Sequence, residues 1–137
     1  MSCTIQKRLM KDSYSNIYTY VGYEQMNLEN KSFLYICKGG LSMIIYLDDI
    51  RENPRNTILA RSVNECKKFI IRLESFNIPV ELDIDHDLGD FVKDGGDGIE
   101  LVKWLVETER FYPIQFHSMN PVGLQNMQAL VDRYWPT

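Results

Sequence analysis

Met43-Ile44-Ile45-Tyr46-Leu47-Asp48-Asp49 is an apolar run that stops on two carboxylates, and its reading decides the fold. A short uninterrupted apolar run suits a strand covered on both faces, as in a parallel sheet. Arg51–Asn56, with one Pro and two Asn, reads as a loop, and Thr57–Ala60 as a short second strand. Ser62 then opens a helix, with Glu65 completing a capping box. Val63, Cys66, Phe69, Ile70, Leu73 and Phe76 follow at helical spacing, and Asn77 and Pro79 stop the run. Val80–Asp87 alternates apolar and acidic residues, the period of a strand. A loop with glycines at 89, 95, 96 and 98 follows. The next helix is predicted over Ile99–Glu109, with Ile99, Val102, Leu105 and Val106 inward, and a strand over Ile114–His117. Asn120-Pro121 opens a last helix, Asn as N-cap and Pro in the first turn. Leu124, Met127, Leu130, Val131 and Tyr134 are its expected inner stripe.

Strands alternating with helices imply an α/β fold with right-handed crossovers. We therefore expect an open, mainly parallel sheet with helices on both faces. Working outward, residues 43–137 form this domain and residues 1–42 an N-terminal extension. In the extension Ile17–Tyr23 and Ser32–Cys37 read as the strands of a β-hairpin, with a turn over Asn27–Lys31, packed on the sheet edge.

The whole chain has 137 residues, about one domain's worth, with ordinary apolar (45%) and charged (25%) fractions. That balance excludes general disorder, and no apolar run is long enough to span a bilayer. Without an apolar stretch near the start, and with three cysteines in no CxxC spacing, a reduced cytoplasmic protein is expected. The net charge of −4 disfavours non-specific binding to duplex DNA. Residues 1–42 carry +2 and residues 43–137 carry −6. Eight acids lie between Glu81 and Glu100, opposed there only by Lys93.

Three predicted strands end in polar clusters: Asp48-Asp49 with Arg51, Asp85-His86-Asp87, and His117-Ser118 with Asn120. Both histidines of the chain fall in them. Open α/β sheets place their ligands at these carboxyl ends. Several carboxylates on one rim repel one another, and Mg²⁺ or Mn²⁺ with a substrate phosphate would neutralise them. Asp48, Asp49, Asp85 and Asp87 are the candidate metal ligands. His117 and His86, with Asp85, are the candidate catalytic groups, because imidazole titrates near neutral pH. Arg51, Ser118, Asn120 and Gly123 are the candidate phosphate binders, by guanidinium fork, hydroxyl and helix N-terminus. Asp90, Asp94 and Asp97 read as turn formers. Nucleotide-binding GxGxxG and Walker patterns, an EF-hand loop and a GxSxG elbow are all missing.

Leu47-Asp48-Asp49-Ile50-Arg51, Asp85-His86-Asp87-Leu88-Gly89 and His117-Ser118-Met119-Asn120-Pro121-Val122-Gly123, in this order, resemble the cyclic-phosphate processing receiver domains, relatives of response-regulator receivers. The resemblance covers about residues 43–131. It implies a receiver-like (flavodoxin-like) fold and action on cyclic phosphates, in RNA repair or nucleotide signalling. The usual fifth strand, with its phosphate-pairing Lys, is not found after the last predicted helix, and Arg51 is the substitute cation. Three functions follow. The first is metal-assisted hydrolysis of a 2′,3′-cyclic phosphate RNA end or a cyclic nucleotide, a phosphodiesterase-type reaction. The others are a sensor or sponge that binds without turnover, and a phosphoacceptor receiver using Asp85.

Overall fold

The computed structural model describes residues 2–11, 17–26, 33–36 and 42–137. Strands β1 (Ser2–Lys11), β2 (Ile17–Met26) and β3 (Phe33–Ile36) form an antiparallel sheet in the order β1-β2-β3. The sequence reading anticipated the β2–β3 hairpin but not β1, which pairs with β2 along its whole length. Among the described residues this sheet shares no strand pairing with the one that follows, so the described strands do not extend that sheet's edge by hydrogen bonding. The expected turn over Asn27–Lys31 lies outside the described residues.

The second sheet contains β4 (Met43–Leu47), β5 (Thr57–Ala60), β6 (Val80–Ile84) and β7 (Ile114–Phe116), all parallel, in the order β5-β4-β6-β7. Helices α1 (Val63–Ser75), α2 (Gly98–Glu107) and α3 (Pro121–Tyr134) follow β5, β6 and β7, and a 3-10 turn (Gly89–Lys93) precedes α2. This is the receiver-like α/β architecture expected from the alternation. No helix among the described residues is long and apolar enough to cross a membrane.

One feature of the expected layering is corrected. Helices were expected on both faces of the sheet, yet one core unites Met43, Ile45, Leu47, Ile58, Ala60, Val80, Leu82 and Ile84 with residues of all three helices. Residues alternate across a strand, so these share one face and Ile44, Tyr46, Glu81, Asp83 and Gln115 share the other. The cause is topological. The loop from β4 to β5 carries no helix, and the two crossovers, β5 to β6 and β6 to β7, run the same way across the sheet. Right-handed crossovers in one direction stack their helices on one face.

Local signals were largely obeyed. Val63, Cys66, Phe69, Ile70 and Leu73 are the buried stripe of α1. Ser62 caps it, its hydroxyl accepting from the Glu65 amide at 3.1 Å, while the Glu65 carboxylate accepts from the amide of Arg61 rather than that of Ser62. In α2, Leu101 is fully buried alongside Val102 and Leu105, although the expected stripe omitted it. In α3, Gly123 and Met127 are buried, but Tyr134 is 41% exposed and does not join the inner stripe. The helix ends there, and Trp135 takes the contact instead, its indole N–H donating to the Tyr112 carbonyl at 2.7 Å.

Candidate functional site

The site begins with the turn after β4. Asp48 is 1% exposed, and its Oδ1 accepts from the amides of Ile50 (2.9 Å) and Arg51 (2.7 Å). These bonds fold the chain sharply at the strand end. The Arg61 guanidinium fastens the same turn from outside, donating to the carbonyls of Asp48 and Arg51 at 3.1 and 2.9 Å. Burial pushes the Asp48 carboxyl up, but the two amides and His117 outweigh it and hold the group below its ordinary value. Asp48 is thus charged and already well supplied with donors.

His117, at the end of β7, bridges two acids. Nδ1 lies 2.5 Å from Asp83 Oδ1, and Nε2 lies 3.0 Å from Asp48 Oδ2. Its ring stacks on Tyr46 with centroids 4.2 Å apart and planes 3° from parallel. Register explains the assembly: Tyr46 pairs with Asp83, Asp83 pairs with Gln115, and His117 stands two residues beyond Gln115. All therefore occupy the helix-free face of three adjacent strands. Burial pulls the His117 pKa down, but Asp83 and then Asp48 outweigh it and raise it, so the imidazolium is favoured.

Asp85 shows the opposite balance. Burial and the nearby Asp48 charge raise its pKa, only partly offset by the Ser118 hydroxyl, the His86 amide and His117. Oxygens of Asp48, Asp49 and Asp85 lie within 4.8 Å of one another. Gly89, at φ +51°, passes so close that a Cβ there would stand 2.5 Å from Asp49 Oδ2. Any side chain at 89 would fill the space beside that carboxylate. Three hard oxygen donors, one with a disfavoured charge, next to space kept clear by a glycine, fit a divalent cation such as Mg²⁺ or Mn²⁺.

A second group forms where the chain turns away from β6. His86 Nδ1 lies 2.7 Å from Asp87 Oδ1, and the same oxygen accepts from Asn120 Nδ2 at 3.1 Å. The His86 ring rests against Gly123, where a Cβ would collide with it. Asn120 caps α3 through Oδ1, accepting from the Gly123 amide at 2.9 Å. Asp97 Oδ1 accepts from the Leu88 amide at 3.1 Å.

The predicted residues thus divide. Asp48, Asp49 and Asp85 come together with His117, and Ser118 acts on Asp85. Arg51 Nε stands 4.0 Å from Asp48 Oδ2. Asp87, expected among the same ligands, groups instead with His86 and Asp97. The strand ends at Ile84, so two-residue alternation does not carry Asp87 to the side that Asp85 occupies. Asp94 is structural, accepting from the Ser62 hydroxyl at 2.5 Å and from Asn64 Nδ2 at 3.0 Å. Sequence reasoning missed Asp83, Tyr46 and Arg61. The first two were visible as outward positions of the two central strands, whose register brings them side by side.

The sequence was also compared with known proteins. No curated protein and no solved structure matches it. Residues 43–133 match the cyclic-phosphate processing receiver domain, a span that covers most of the chain and contains every group of the site. The chain therefore belongs to the cyclic-phosphate processing receiver domain family.

Proposed function

We propose that this domain hydrolyses a cyclic phosphodiester, a 2′,3′-cyclic phosphate RNA end or a cyclic nucleotide, with the help of a divalent cation. The observation that carries this reading is the crowding of Asp48, Asp49 and Asp85 within 4.8 Å beside an imidazole bonded to Asp48. Mg²⁺ or Mn²⁺ held by these carboxylates would supply positive charge to the phosphoryl oxygens. Arg51, its side chain half exposed beside Asp48, binds the non-bridging oxygens, joined by the Ser118 hydroxyl and the N-terminal dipole of α3. His86, whose Nδ1 lies 2.7 Å from Asp87 Oδ1, acts as the base for the attacking water. A new P–O bond forms, one ring P–O bond breaks, and the leaving oxygen takes the proton that His117 shares with Asp48. Asp83 and Tyr46 position that imidazolium.

Capture without turnover is favoured by one observation, that both His117 nitrogens are already engaged by carboxylates. Phosphorus NMR separates the two. With Mn²⁺ or Mg²⁺, the cyclic ester resonance should be replaced by that of a monoester, and EDTA should stop the conversion. A cyclic resonance that persists unchanged while the compound binds would replace the hydrolase with the sensor.

A further inference from the structure

Seven large apolar or aromatic side chains are exposed among the described residues, and five of them stand just after β4, β6 and β7, four on the connecting segments and Val122 in the first turn of α3. Ile50 (80% exposed) adjoins the carboxylate pair, Phe91 and Val92 lie in the 3-10 turn beyond Gly89, and Met119 (84%) and Val122 (66%) flank the α3 N-cap. Single exposed apolar residues are ordinary, but several on the segments that bear one polar site mark a surface for an apolar ligand part. None belongs to the core cluster or to the partly buried residues packed against it. The same rim is hostile to a polyanion. The segment from Asp87 to Glu100 exposes Asp87, Asp90, Asp94 and Glu100 against a single Lys93, and in the turn after β4 the exposed Arg51 is followed by the exposed Glu52. A nucleic acid chain needs a continuous basic track for its backbone, and the described residues of this rim form none.

Resting on the hydrolase reading above, we propose that the substrate is a free nucleoside cyclic phosphate, not an RNA end, and that its base lies on the collar of Ile50, Met119 and Val122. The cyclic phosphate takes the polar centre, and the base, flat and weakly polar, covers the side chains beside it. One nucleotide presents a single phosphate, so the acidic loop meets no second one. Covering such side chains is worth about a factor of ten in affinity.

Three compounds test the assignment: adenosine 2′,3′-cyclic phosphate, a decaribonucleotide with a 2′,3′-cyclic phosphate end, and base-free glycerol 1,2-cyclic phosphate. Turnover is followed by phosphorus NMR and binding by calorimetry, with Mn²⁺ present. The mononucleotide should exceed both others by about tenfold in kcat/KM and in affinity. In the exposed-site variants Met119→Ser and Ile50→Ser, the ratio of mononucleotide to glycerol compound should fall toward one. A decaribonucleotide preferred over the mononucleotide, or a base-free compound handled equally well, overturns the proposal. Binding selectivity for the mononucleotide without turnover of any compound would leave the base collar standing and remove the hydrolase. Equal, weak binding of all three without turnover overturns both.

Discussion

Two ends of the same parallel sheet carry clusters of charged and aromatic side chains, and they are built on opposite principles. At the amino end, Glu74 of α1 receives the Arg110 guanidinium in a fork, Nε at 2.8 Å and Nη2 at 3.2 Å, together with the Tyr112 hydroxyl. Arg110 also stacks over Trp104, 4.8 Å from the ring centroid. One negative charge meets one positive charge, and both Glu74 oxygens accept hydrogen bonds. Burial alone would raise Glu74, but Arg110 and Tyr112 hold it low. At the carboxyl end, three carboxylates converge, and Asp85 is pushed up. The first cluster balances its charges within the fold; the second gathers like charges, one of them disfavoured. Contact of charges therefore does not distinguish a site from a staple. The sign of the imbalance does.

The largest effect should come from breaking the carboxyl end. His117→Ala is expected to lower cyclic phosphate turnover by about 10²- to 10⁴-fold, the usual contribution of a general acid, as measured by single-turnover assays. Asp83→Asn should produce a smaller loss, mostly in kcat with KM little changed, because Asp83 orients the imidazole and does not reach the substrate. A fall in KM affinity without loss of kcat would reassign Asp83 to substrate binding.

Breaking the amino end should affect stability only. Glu74→Gln removes a charge-assisted fork and should cost about 1–3 kcal/mol, several degrees in Tm, with turnover preserved. The pH dependence sharpens this. Because the folded Glu74 carboxyl is held below its unfolded value, its contribution is full above the ordinary carboxylate range. It disappears as pH falls through the folded value. Acid unfolding curves of the wild type and Glu74→Gln should thus differ at neutral pH and converge in strong acid. Curves that coincide at every pH would mean that the Glu74 pair contributes nothing.

The smallest effect is the most instructive. Without metal, Asp85→Asn should raise Tm by a few degrees, since it removes one of three like charges that burial already disfavours. Functional sites commonly cost stability in this way. A lower Tm would show that Asp85 is a structural acid.

The carboxyl end of this contrast was largely legible in the sequence, and what escaped has definite physical causes. Asp48-Asp49, Asp85 and His117-Ser118 were readable because each sits where an apolar strand stops, and strand ends in parallel sheets converge. Asp83 was not, because an outward acid in an alternating strand looks like a solvated residue until register sets it beside Tyr46 and His117. The helix-free face was concealed by the β4–β5 loop, whose shortness was seen but whose topological consequence was not. Asp87 was misgrouped because the chain turns after Ile84 and the strand period no longer applies. Strand β1 lacks a clean alternation, its charged residues being mixed with apolar ones, and so gave no signal.

The central claim, that the carboxyl-end acids await a cation whereas the amino-end cluster is complete, is tested most directly by Mn²⁺ binding followed by electron paramagnetic resonance on three proteins. Wild type and Glu74→Gln should each remove one equivalent of Mn²⁺ from the free-ion spectrum, and Asp85→Asn should not. Undiminished binding by Asp85→Asn, or none by the wild type at millimolar Mn²⁺, would contradict the account.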